Sequence, residues 1–106
     1  DKGLTAAMIN NYVKNGHLDK PIKKKYNRRQ LARLIVITCL KNVFSIQEIS
    51  KTINSLTVEE SSETMYNNFV MCMNGEMREG LSEVIVAACD TVRSYKKTHD
   101  LLEKLN

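Results

Sequence analysis

The sequence predicts an all-α fold with one short extended ribbon near its start. One proline and four glycines among 106 residues leave too little turn chemistry for a many-stranded sheet. Helix-start signals recur at Thr5, Asn27, Ser45 and Thr57, each a side chain that accepts from the free N–H groups of a first turn. Between them, apolar residues return every three or four positions, which is the period of a helix with one buried face.

Thr5 caps a first helix with Ile9, Tyr12 and Val13 on one side and Asn10, Asn11 and Lys14 on the other; Asn15-Gly16 ends it. Leu18 to Tyr26 contains Pro21 and the run Lys23-Lys24-Lys25 and has no helical period. It predicts a two-stranded β-hairpin. Asn27 caps a second helix through about Asn42, with Leu31, Leu34, Ile35, Thr38 and Cys39 as its apolar face. Ser45-Ile46-Gln47-Glu48 is a capping box for a third helix carrying Ile46, Ile49, Ile53 and Leu56. Thr57 to Glu60 has the same form and predicts the start of a fourth helix with Met65, Phe69, Cys72 and Met73, interrupted near Gly75 and Gly80. Leu81, Ile85, Ala88, Val92, Tyr95, His99 and Leu102 then alternate by four and three, an a/d seam suited to pairing with a second copy.

A 42% hydrophobic and 26% charged composition excludes disordered and collagen-like classes. The apolar stretches 34–37 and 84–89 are too short to span a bilayer. No secretory signal opens the chain. Three scattered cysteines, Cys39, Cys72 and Cys89, do not make an even disulfide framework and point to the reducing cytoplasm. Cys39, in the apolar run of the second helix, is expected buried. Cys72 and Cys89, on consecutive helices, are expected as free buried thiols.

Charge is divided unevenly. Residues 1–53 hold eleven Lys and Arg against three acids, a net +8, and residues 54–106 hold five against nine, a net −4. This predicts a basic region over 1–56 that meets a polyanion and a helical region over 57–106 that pairs or receives an effector. A helix, a glycine stop, a lysine-loaded hairpin, a tyrosine and a capped helix follow in the order of a winged helix-turn-helix. Such units lay a helix in the major groove and put the wing's cations on phosphates. Arg28 and Arg29, in a first helical turn where the macrodipole disfavours cations, suit the same anionic partner.

Several of these phrases resemble known sequences. Leu4-Thr5-Ala6-Ala7-Met8-Ile9-Asn10-Asn11-Tyr12-Val13-Lys14-Asn15-Gly16-His17-Leu18 resembles the second helix of MerR-type regulators. Residues 23–31 are similar to their wing and third helix, and Phe44-Ser45-Ile46-Gln47-Glu48-Ile49 to the opening of their fourth. Still closer is an uncharacterised family of short Gram-positive bacterial proteins, domain of unknown function 1836, with the same Met-Ile-Asn-Asn-Tyr-Val-Lys run, lysine-rich wing and Ser-Ile-Gln-Glu-Ile phrase. The resemblance covers residues 4–53. It implies a MerR-like winged helix-turn-helix that regulates transcription, a homodimer joined through its C-terminal helices. The first helix of such a unit would lie before Leu4, where this chain has Asp1-Lys2-Gly3.

By that resemblance Thr5, Asn10, Asn11 and Lys14 face the major groove. Lys23, Lys24 and Lys25 lie on the wing, and Tyr26 closes it. Asn pairs with adenine through two hydrogen bonds. Leu81, Ile85, Ala88, Val92 and Tyr95 form the dimer seam. The methionines read as packing. His17 and His99 lack companions at ligand spacing, so no metal or other cofactor is expected. No phosphate loop, H-E-x-x-H or G-x-S-x-G phrase supports an enzyme. The rival reading is an adaptor whose basic half docks an acidic protein. Membrane binding is not expected, because no helix sets lysines opposite bulky aromatics.

Overall fold

A computed structural model describes residues 3–58, 60–76 and 79–105. The described residues form five helices and no strand: α1 (Ala6–Lys14), α2 (Arg28–Leu40), α3 (Ile46–Leu56), α4 (Ser62–Met73) and α5 (Glu83–Glu103). The chain divides into two compact units, Asp1–Tyr66 and Asn67–Asn106, with the divide inside α4. No helix among the described residues is long and apolar enough to cross a membrane.

Local side-chain chemistry starts the first three helices. The Thr5 hydroxyl accepts from the Met8 N–H at 3.1 Å. Asn27 accepts from the Gln30 N–H while the Gln30 side chain accepts from the Asn27 N–H, both at 2.8 Å. Ser45 and Glu48 make the same reciprocal pair at 2.9 and 3.1 Å, satisfying two otherwise free donors. Gly16, at φ 79°, follows the end of α1 in the left-handed region that a residue with a Cβ enters at a cost.

The all-α expectation holds, but the β-hairpin wing does not form. Ile22 and Lys25 make one isolated antiparallel bridge, through Ile22 N–H to Lys25 O at 3.0 Å and Lys25 N–H to Ile22 O at 2.9 Å. Lys23 and Lys24 close it at φ 52° and 63°, the positive values that a two-residue type I′ turn requires. Pairing stops there. Pro21 has no N–H to donate to a ladder, and Asn27 is already turned into the cap of α2.

Thr57 does not open α4. It ends α3, and its hydroxyl donates to the Ile53 carbonyl at 2.8 Å. Ser61 caps α4 instead, accepting from the Thr64 N–H at 3.1 Å. Glu59, within that expected box, lies outside the described residues.

The core of the first unit draws Leu18, Ala32, Val36, Ile37, Leu40, Ile49, Ile53 and Met65 inside. The buried face of α2 is therefore not the one its periodicity suggested. Leu31 and Ile35 remain 49% and 44% exposed, and Leu34, Thr38 and Cys39 are half-buried. In the second unit Phe69, Cys72, Ile85, Ala88 and Cys89 are buried. There the α5 guanidinium of Arg93 donates to the Cys72 carbonyl near the end of α4 and pairs with Asp90 at 3.3 Å.

Candidate nucleic-acid interface

Helix α1 buries no residue completely. Met8, Ile9, Tyr12 and Val13 are half-buried, whereas Ala6, Ala7, Asn10, Asn11 and Lys14 are exposed. At 100° per residue those five occupy an arc of about 140°. The surface they present combines two primary amides, a cation and two methyl groups, so it can approach a flat polar surface closely. Thr5 stands just outside the helix with its oxygen engaged in the cap.

The basic loop that follows is held by side chains of α2. Gln30, only 5% exposed, donates from Nε2 to the Asp19 carbonyl at 3.1 Å and the Lys20 carbonyl at 2.9 Å. Its Oε1 accepts from the Asn27 N–H. One buried amide thus grips both ends of the segment between Lys20 and Asn27. Farther along, Arg33 donates from Nε to the His17 carbonyl at 2.6 Å and from Nη2 to Ser50 Oγ at 3.1 Å and Asn54 Oδ1 at 3.0 Å. The turn after α1 is thereby tied to α2 and α3. Burial lowers the pKa of Arg33 from the ordinary arginine value; Asp19 opposes that shift and Arg29 adds to it.

Between these anchors Lys23, Lys24 and Lys25 are exposed, Tyr26 is half-buried, and Arg28 and Arg29 are exposed on the first turn of α2. None of the five cations has an ion-pair partner among the described residues. Gln30 and Arg33 were not singled out by sequence. Asn27-x-x-Gln30 has the capping-box form, which was the available signal for Gln30, whereas nothing local marks the reach of Arg33 to Ser50 and Asn54.

The seam residues belong to the other unit. Ile85 and Ala88 are buried within the chain, Leu81 and Val92 are half-buried, and Tyr95 is exposed. Leu81 precedes α5. His99, Asp100 and Glu103 on its exposed C-terminal turns bring one ligand atom each within 4.8 Å, the group among the described residues with a geometry for a cation. Cys72 and Cys89 share a thiol hydrogen bond. Burial first, then that bond, pushes the Cys89 thiol up to about 12.

The domain of unknown function (DUF1836) matches residues 1–69. The chain belongs to that family. The DUF1836 match takes in α1, the basic turn, α2, α3 and most of α4, so every candidate nucleic-acid contact falls inside it and every seam residue outside. No curated protein and no solved structure matches the chain.

Proposed function

We propose that this chain is a sequence-specific, DNA-binding transcriptional regulator, with a helix-turn-helix likeness to MerR-type proteins in its helix and cap phrases. Helix α1 enters the major groove, where Asn10, Asn11 and Lys14 read base edges. Lys23, Lys24, Lys25, Arg28 and Arg29 neutralise backbone phosphates, and Tyr26 supports the turn. The observation that carries this reading is the pairing of an open amide-rich helix face with five exposed cations that lack protein partners. Exposed cations that form no ion pair favour a polyanion over self-contained surface pairing. Self-association through α5, with Tyr95 and Leu102 as its open seam positions, would place two such faces on a two-fold site.

Fluorescence anisotropy with duplex DNA across a salt series tests it. Each phosphate contact contributes about −0.9 to the slope of log affinity against log salt. Lys14 and the five cations would together give a slope of about −5. Absence of duplex binding at low salt would remove this reading and leave the docking of an acidic protein.

A further inference from the structure

The turn after α1 and the first turns of α2 enclose a cleft of ≈ 110 Å³, whose lining includes Gly16, His17, Asp19, Arg29, Arg33 and Asn54. Its geometry is set by the clasp of Arg33. That guanidinium is fixed by three acceptors, the His17 carbonyl, Ser50 Oγ and Asn54 Oδ1, all of them neutral. Its Nη1 has no hydrogen-bond partner among the described residues, and the Arg29 side chain has neither a hydrogen bond nor an ion pair among them. Asp19 is the one carboxylate in the lining. Two guanidiniums therefore face one acid, and they repel one another in a half-enclosed space. With Nε and Nη2 of Arg33 already engaged, its Nη1 group and the unengaged guanidinium of Arg29 are left to donate into the cleft, and with one carboxylate against two cations an oxyanion there would meet a net positive charge.

Size narrows the occupant. At ≈ 110 Å³ the cleft is smaller than the roughly 300–1,000 Å³ of small-molecule sites and has the size for a single tetrahedral group. We propose that this cleft binds one phosphate group, held between Arg33 and Arg29. The group belongs either to the DNA backbone or to a free phosphate. The cleft does not depend on the DNA reading, since its volume, its fixed arginine and its charge balance stand without it.

Titration of the full chain with inorganic phosphate at constant ionic strength, followed by amide and Arg Nε–H NMR signals, decides the matter. Saturable shifts should concentrate at His17, Asp19 and Arg33. Arg29→Gln should weaken binding by about tenfold or more, and Asp19→Asn should tighten it. Lys51→Gln, an equal charge change at an exposed position on α3, should alter it by less than about twofold. Shifts scattered over Lys23 to Lys25, no saturation, or an equal loss in Lys51→Gln would overturn the site. Duplex DNA added to the phosphate-bound chain separates the sources. Displacement assigns the cleft to a backbone phosphate, and joint binding assigns it to a free one. Phosphate shifts without any DNA binding in the anisotropy assay would retain the cleft and defeat the regulator reading alone.

Discussion

Gln30 carries a primary amide whose three hydrogen bonds all end on backbone atoms: the carbonyls of Asp19 and Lys20 and the N–H of Asn27. Gln30→Met keeps similar bulk but leaves those groups unmatched. It should cost about 1–3 kcal/mol in urea unfolding and speed hydrogen exchange at Asn27; an unchanged midpoint would refute the clasp. Glu48 offers a pH test. Hydrogen bonds from Ser45, the backbone one first, hold its carboxyl below the usual carboxylate pKa, against a small opposing effect of burial. Its folded pKa lies below the unfolded one, so the stability this adds is present above the unfolded pKa. It is lost as pH falls through the folded value. Glu48→Gln keeps an acceptor and should flatten that part of the acid limb when urea midpoints are compared down through the carboxylate range. The Ser45 box was legible because its partners stand three residues apart, whereas the grip of Arg33 on Ser50 and Asn54 joins positions 17 and 21 residues apart.

Among the elements, the basic turn separates charge from shape. Lys23 and Lys24 hold left-handed backbone angles that cost an ordinary side chain roughly 1–2 kcal/mol each, and Asn-Gly is the pair such a turn prefers. The double substitution Lys23→Asn/Lys24→Gly should raise stability by about 1 kcal/mol while lowering the DNA salt slope by about two. Loss of binding with a gain of stability would place the effect on the cations; an unchanged slope would take the turn off DNA. The hairpin expectation failed because lysine content signals an exposed ribbon but says nothing of how far pairing runs beyond Pro21. Helix α2 misled differently. Ala32, Val36, Ile37 and Leu40 recur at helical spacing as well as Leu31, Leu34, Ile35 and Thr38 do, and periodicity alone cannot choose between two apolar faces. The packing partner α3 makes the choice. Helix α5 carries its a/d spacing plainly in the sequence, but Ile85 and Ala88 at two of those positions are buried by the chain's own fold.

Across the molecule, charge follows the compact units less steeply than it follows the two halves. Asp1–Tyr66 holds eleven Lys and Arg against six acids, and Asn67–Asn106 five against six. With the first unit basic and the second nearly neutral, any attraction for a polyanion concentrates in the first. The thiols sort in the same way. Cys39, expected buried, is half-buried with burial raising its pKa, while Cys72 and Cys89 are fully enclosed. A thiol reagent should therefore modify Cys39 first in the native chain and reach the other two only on denaturation, as peptide mapping of the labelled chain would read out. Prompt labelling of Cys89 would contradict the enclosed pair. The Gln30 clasp carries a last consequence. It seizes main-chain atoms at Asp19, Lys20 and Asn27, and those atoms are the same whatever side chains lie between them. The exposed side chains from Ile22 to Lys25 therefore stand in a fixed frame, where the contacts offered to a partner can be rewritten without redrawing the scaffold so long as positions 23 and 24 accept a left-handed backbone.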